Sequence, residues 1–306
     1  MKYTITLVAL LSQVSSIIAR QDHESTLNST YDFIIVGGGT TGLILADRLS
    51  ESGDEKVLVL EAGPDPNVAM HQAPGAVEYI AGTAIDWNFY TEPQEGLDGR
   101  KLAYHRGRGL GGSSILNGLY YGRGSANVYD HWVELGDPGW GWEEVYPSFI
   151  KSTHFNTPNN GTGYNQKYQT WTLVQDLNNG KNVGVKQGTA TLTSKYRRSS
   201  AYDYYKAAAK RPNVDIIHNA PVQQIIFSKN ATGFSIATGV NFIDHSQGRH
   251  RTVAASKEVV VTLGTFQSPQ MLMVSGIGPE ATLDAFNIEP VVINENVGQQ
   301  EVNRRS

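Results

Sequence analysis

Along the chain, short runs of consecutive apolar residues are followed by stretches in which apolar positions recur every three or four residues. The first clear run, Tyr31-Asp32-Phe33-Ile34-Ile35-Val36, has the β-branched character of a strand buried in a parallel sheet. Glycines follow at once, and Leu43, Ile44, Ala46 and Leu49 then repeat at helical spacing across Thr41 to Ser52, with Gly53 as the C-terminal stop. Lys56 to Glu61 (KVLVLE) reads as a second strand, so the spacing predicts a β-α-β unit with a right-handed crossover. From Pro64 to about Gly112 the chain is irregular and rich in Gly, Pro and Asn, and so long an excursion is usually functional. Helices are predicted at Asn127 to Leu135 and at Trp142 to Phe155. Residues 156–199 are polar and Asn/Gly-rich and read as loops or an inserted layer rather than a packed sheet, after which Ser199 or Ser200 caps a helix through Ala209. Val214 to Leu263 breaks into short alternating runs (VDIIH, VQQIIFS, ATGVNFI, KEVVVTL), predicting a mainly antiparallel sheet that returns to a buried strand.

Composition narrows the classes. The 306 residues are 40% hydrophobic, with 25 Lys+Arg against 29 Asp+Glu, which describes a globular chain with ample core and no basic field for nucleic acid. With no cysteine there is no disulfide framework and no thiolate metal site or nucleophile, so chemistry must come from oxygen, nitrogen or a bound cofactor; no metal partner is expected. Lys2, the apolar Leu7 to Leu11 and the small-residue exit ending at Ala19 read as a signal peptide over residues 1–19. A secreted, extracellular protein without a membrane partner is expected, and sequons at Asn28, Asn160 and Asn230 agree with a glycoprotein.

The strongest local feature is Gly37-Gly38-Gly39-Thr40-Thr41-Gly42, a G-x-G-x-x-G directly after a strand and before a helix, with Glu61 ending the next strand. Gly37 permits the tight turn, Gly39 admits a pyrophosphate close to the backbone, and Gly42 lets helix and strand pack. The helix N-terminus supplies free N–H groups for the phosphate charge, and Glu61 can accept from ribose hydroxyls. A dinucleotide site follows, although this spacing serves FAD and NAD alike. A second glycine-rich element, Gly107 to Asn117, is dense in backbone and hydroxyl donors and could cradle another part of a long cofactor.

Two longer segments carry a family likeness. Gly107 to Asp130 (GRGLGGSSILNGLYYGRGSANVYD) and Gly264 to Gly278 (GTFQSPQMLMVSGIG) fit the first and second signatures of the glucose-methanol-choline (GMC) flavoprotein oxidoreductases, and the chain resembles that family over roughly residues 31 to 298. The resemblance implies an α/β fold: an FAD-binding Rossmann-like domain with antiparallel β elements and the start of an interleaved substrate-binding domain. It divides the chain into a first FAD-domain part (31–155), an insertion (156–199), a second FAD-domain part (200–298) and a non-family tail (299–306).

Carried over by residue, the resemblance implies that Thr40 and Thr41 lie on the FAD pyrophosphate and Glu61 on the adenosine ribose. Gly112, Ser113, Asn117, Gly118 and Tyr120 would line the phosphate and flavin side, and Val222 would meet the adenine. Where some members attach the flavin through a histidine, this chain has Leu116, so FAD is expected to be non-covalent. His105, Arg106 and Arg108 read as phosphate contacts or solvated charges and Arg197-Arg198 as a surface pair. The implied chemistry is oxidation of a CH–OH group of a small alcohol or sugar, with oxygen or a quinone-like molecule as electron acceptor. The family's basic histidine and its partner lie near the end of a longer chain, and this sequence departs from the pattern after Asn296-Val297-Gly298-Gln299. A truncated N-terminal portion is thus expected, its eight histidines reading as surface or loop residues and none as catalytic. The alternatives are a hydroxynitrile-lyase-like member and a non-catalytic flavin-binding remnant.

Overall fold

In the computed structural model, which describes residues 27–66, 69–154, 179–181 and 189–299, β1 (Thr30–Val36), α1 (Thr40–Leu49) and β2 (Val57–Leu60) form the expected β-α-β unit. Alternation along β1 and β2 sends successive side chains to opposite faces, and both faces are covered. Ile34, Val36, Leu58 and Leu60 pack on one side with Phe242, Val253 and Met271, whereas Ile35, Val57 and Val59 pack on the other with Ala46 and Ala208. Each fully buried Ile or Leu here contributes roughly 1.5–3 kcal/mol relative to exposure.

The excursion after β2 holds only short pieces, including a ladder between Phe89–Tyr90 and Ala103–Tyr104. Helices α2 (Ala126–Glu134) and α3 (Trp142–Ser152) follow where the spacing put them. They are joined by an aromatic cluster in which Trp142 stacks on Tyr146 at 4.8 Å and lies 5.4 Å from the Tyr129 ring. Helix α4 (Tyr202–Ala208) starts at the expected place but without a serine hydroxyl as its cap. Ala201 occupies the cap position, and Ser200 contributes only its carbonyl, to the Asp203 N–H at 3.1 Å.

The chain then builds β3 (Val214–Ile217), β4 (Val222–Lys229), β5 (Ser235–Asp244) and β6 (Arg249–Val261), followed by α5 (Gly264–Val274). All join one six-stranded sheet in the order β3-β2-β1-β6-β5-β4. The antiparallel expectation holds for β4, β5 and the first half of β6, but β3 is parallel to β2 and the last part of β6 is parallel to β1. Strand β3 could not reach the antiparallel layer, because α4 delivers it back to the free edge of β2. The end of β6 is only half buried at Val259, Val260 and Val261, since it opens into the cavity described below.

The expected leader at 1–19 and the sequon at Asn160 lie outside the described residues, as do most of 156–199 and all of 299–306 except Gln299. Among the described residues no helix is long and apolar enough to cross a membrane, and no group of three or more His, Asp or Glu could hold a metal ion.

Candidate functional site

A cavity of about 440 Å³, within the usual size range of small-molecule sites, opens at the C-terminal ends of β1 and β6. Two strand-to-helix turns meet there. The first is Gly37 to Thr41, leading into α1, and the second is Val261 to Ser268, leading into α5. Helix α1 has no side-chain cap, so the N–H groups of its first turn and the positive end of its dipole face the cavity. Helix α5 is likewise uncapped. In open α/β sheets ligands bind at this end of the strands.

The backbone of the first turn is set by steric need. Gly37 has φ +107°, which side chains rarely tolerate, and its carbonyl accepts from the Thr262 hydroxyl at 2.8 Å, tying the two turns together. A Cβ on Gly42 would sit 2.0 Å from Gly37 O, so only glycine lets α1 start this close to β1. Gly39 differs: a Cβ there would meet nothing nearer than 3.8 Å, because the residue borders open space where a ligand could approach.

The second glycine-rich element folds against the first, backbone to backbone. The Gly111 N–H donates to Gly38 O at 2.9 Å, and a Cβ on Gly112 would lie 2.7 Å from the Gly39 Cα. Glu61 fastens this junction. One carboxylate oxygen accepts from the Gly38 N–H (2.8 Å), and the other accepts from the N–H groups of Gly63 (2.8 Å) and Gly109 (3.0 Å). Burial pushes the Glu61 carboxyl upward from its ordinary value, and the three N–H donors pull in the opposite direction without reversing it. Glu61 therefore joins two loops as well as bordering the cavity, a structural duty that the ribose expectation did not contain.

Of the residues singled out from sequence, Gly37, Gly39, Thr40, Thr41, Glu61, Gly112 and Ser113 line this one cavity. Gly42 stands behind it in α1. Asn117, Gly118 and Tyr120 lie beyond the lining, the first joined to it by its N–H donating to Ser113 O at 3.0 Å. Val222 also lies outside the lining, at the start of β4, just past a turn whose Ala220 N–H donates to Glu61 O at 2.8 Å. No histidine lines the cavity among the described residues.

The charged residues before the second element have separate surroundings. Arg106 lies over the Tyr104 and Phe266 rings at 5.5 and 5.4 Å and borders the cavity. Arg108 lies over Trp87 at 5.3 Å. His105 pairs with the buried Asp86, whose carboxylate also accepts from the N–H groups of Gly82, Asn88 and Arg106. Two expectations are corrected. Arg198 is not at the surface but 4% exposed, and His71 is 3% exposed against the Tyr202 ring, because both are enclosed where the 198–202 segment folds over the second glycine-rich element.

Sequence reasoning also missed the Thr262 to Ser268 turn and the aromatic wall of Trp87, Phe89 and Phe266 as cavity residues. The turn had a readable signal, since KEVVVTL runs straight into Gly264 and a helix, repeating the strand-glycine-helix order of the first unit. The arrangement as a whole fits an anionic dinucleotide. It offers free helix N–H groups for a pyrophosphate, backbone approach at Gly39, a carboxylate at the end of β2 and aromatic faces opposite.

The chain matches the GMC oxidoreductase model over residues 31–159 and 155–301. It is 34% identical to patulin synthase of Penicillium expansum, over 89% of this chain and 50% of that protein. It is 35% identical to an oxygen-dependent choline dehydrogenase of Photobacterium profundum, over 86% of this chain and 49% of that one. An FAD-dependent oxidoreductase of solved structure from Chaetomium thermophilum superposes with a TM-score of 0.76 at 31% identity, covering 86% of this chain and 50% of that one. The chain spans about half the length of the curated relatives it matches.

Proposed function

The chain belongs to the GMC oxidoreductases, and from that premise we propose that it forms the FAD-holding part of a secreted enzyme that oxidises the CH–OH group of a small alcohol or sugar. The observation that carries the reading is the convergence of two uncapped helix N-termini and Glu61 on one cavity.

In this reading Thr40 and Thr41 hold the pyrophosphate through the first turn of α1, with Gly37, Gly39, Gly42 and Gly112 giving the backbone its approach. Glu61 accepts from a ribose hydroxyl with the one lone pair, on Oε2, that its three N–H donors leave. Ser113, Asn117, Gly118 and Tyr120 serve the flavin side, and Val222 meets the adenine. FAD, when bound, supplies the two-electron acceptor for oxidation of the carbinol carbon. This chain's own residues bind it and shield it from water, with the wall of Trp87, Phe89 and Phe266 opposite the phosphate-binding turn. No base is assigned to any residue of this chain. Leu116 is buried, with no nitrogen to offer a flavin, which supports non-covalent binding. Oxygen or a quinone-like molecule would take up the electrons, and the apolar segment after Lys2 supports export.

Gly39 provides the test. In Gly39→Ala the added methyl meets no protein atom nearer than 3.8 Å, so the ligand-free protein loses at most about 1 kcal/mol, from alanine's poorer fit at the N-cap of α1, while the methyl intrudes where the pyrophosphate would lie. The purified chain is expected to quench FAD fluorescence with a saturable isotherm, and the variant to bind at least about tenfold more weakly. If the parent chain binds no FAD, or the variant binds it equally well, the reading is wrong.

A further inference from the structure

We propose that Arg198 is a positioning residue for the cofactor site: by engaging both oxygens of Asn117, it turns the Asn117 amide Nδ2 outward as a fixed hydrogen-bond donor. The inference rests on the FAD reading for the identity of the acceptor, which would be the flavin end of the cofactor. The orientation of Asn117 itself does not depend on that reading.

Arg198 is a buried cation with no carboxylate within ion-pair distance among the described residues. Removing a guanidinium from water without a counter-charge costs several kcal/mol, so its surroundings must hold it for a definite purpose. Its Nε donates to His71 O at 3.0 Å. Its Nη1 donates to Asn117 O at 2.7 Å and to Asn117 Oδ1 at 2.6 Å, with a longer contact to Ser114 O at 3.4 Å. Its Nη2 is buried with no hydrogen-bond partner among the described residues. The guanidinium is therefore aimed at Asn117 rather than at a set of acceptors that would satisfy it fully.

Chemistry then fixes the amide. A guanidinium only donates, so the side-chain oxygen of Asn117 must face it. The Leu119 N–H donates to the same Oδ1 at 3.2 Å. With its oxygen held from two sides, the amide can only point its NH₂ the other way, and Nδ2 bonds to no described residue while Asn117 itself is exposed. The turn beneath is firm. Leu119 holds φ +66°, a left-handed conformation costly for a bulky residue, and its carbonyl accepts from the Thr191 N–H at 2.9 Å. The donor thus stands one turn beyond Ser113 of the cavity lining, pre-set by an arginine some eighty residues later in the chain.

The experiment has two arms, both on the full chain. In the first, the protein is labelled with ¹⁵N-asparagine without added FAD, and the Asn117 NH₂ signals are identified by their loss in Asn117→Ala. An amide held in one orientation gives NH₂ resonances with shifts displaced from random-coil values and rigid ¹⁵N relaxation in the parent. Arg198→Lys, which keeps charge and stem but loses the planar guanidinium, moves those shifts toward random-coil values and makes the group mobile. Unchanged signals in Arg198→Lys overturn the proposal whether or not FAD binds. In the second arm, FAD affinity is measured for Arg198→Lys, Asn117→Ala and the double variant. Arg198→Lys is expected to weaken binding about tenfold in the parent and to change nothing further once Asn117 is alanine. An equal loss in both backgrounds assigns Arg198 a general structural role, and no loss with lysine assigns it charge alone; either result refutes positioning. Asn117→Asp guards against misfolding, because a carboxylate still pairs with Arg198 and holds the melting temperature. It lacks the outward donor, so FAD affinity should fall as in Asn117→Ala. If the parent binds no FAD, the cofactor reading fails while the first arm still judges the orientation of Asn117.

Discussion

Replacing Gly42 by alanine sets two known effects against each other. In an exposed helix interior the change would stabilise by about 0.8–1.0 kcal/mol, because alanine loses less conformational entropy than glycine. Here the new methyl would lie 2.0 Å from Gly37 O and 2.8 Å from the Thr262 hydroxyl, where ordinary contact begins at 3.4 Å, so α1 must retreat by about 1.4 Å. The obstacle is a backbone carbonyl in a turn already tied to Thr262, so it cannot swing aside as a side chain could. Overpacking of this kind costs roughly 1–3 kcal/mol, occasionally more, and the upper part of that range applies. The net expectation is a loss of about 2 kcal/mol, or a melting temperature lower by about 4–8 °C for a domain of this size. Thermal unfolding of the ligand-free protein followed by circular dichroism reads this directly. Gly96→Ala is the control, since a Cβ there meets nothing within 4 Å, and it should change stability by less than about 0.5 kcal/mol. A Gly42→Ala variant as stable as the parent would show that the close approach of α1 to the Gly37 turn is not what requires glycine.

Three other outcomes are expected. Glu61→Gln presents an NH₂ to at least one of the N–H groups of Gly38, Gly63 and Gly109, and should cost about 1–3 kcal/mol of stability by denaturant unfolding. Burial raises the Asp86 carboxyl, but the N–H groups of Gly82 and Asn88, the His105 ring and the Arg106 N–H outweigh it and leave the group below its ordinary value of 3.8. A lowered folded value means that the stabilisation is complete above 3.8 and lost as pH falls through the folded value, so Asp86→Asn should flatten the acid side of the stability–pH curve. Trp142→Ala empties the centre of the aromatic cluster between α2 and α3, at about 3–5 kcal/mol locally, so amide exchange over residues 126–152 should quicken while that of β1 and β2 does not.

Where local pattern and tertiary role coincide, the sequence was a sufficient guide. The β1-α1-β2 unit was readable because Phe33 to Val36 and Val57 to Leu60 are apolar without interruption and Gly37 to Gly42 stands between strand and helix. The partners of β3 were not readable, since VDII fits a parallel or an antiparallel neighbour and only the return through α4 decides. The cap of α4 misled because two serines stand just before the helix, yet a preference for the cap position does not ensure that the hydroxyl takes it. Arg198 escaped for a different reason: Tyr196-Arg197-Arg198 has surface composition, and its burial depends on carbonyl groups near residues 71 and 117, which no spacing rule connects. Of the site residues in the glycine-rich loops, Gly37, Gly39, Thr40, Thr41, Gly112 and Ser113 line the cavity and Gly42 does not, whereas the aromatic wall depends on distant pairing of Phe89 with Tyr104 and contact with Phe266.

Strand β6 carries a consequence for the order in which the protein is made. Residues Phe33 to Val36 on β1 pair with Glu258 to Val261, more than two hundred positions later. While a ribosome is still producing the chain, β1 therefore has β2 as its neighbour and an open edge on the other side, with its backbone N–H and C=O groups available to any other extended segment. The cavity cannot close until Gly264 to Ser268 has emerged behind β6, so its two turns meet only after the whole span from β1 to the start of α5 has been made. Pairings this distant are slow to form. A ligand present at that stage would trap the newly docked strand and draw its docking forward.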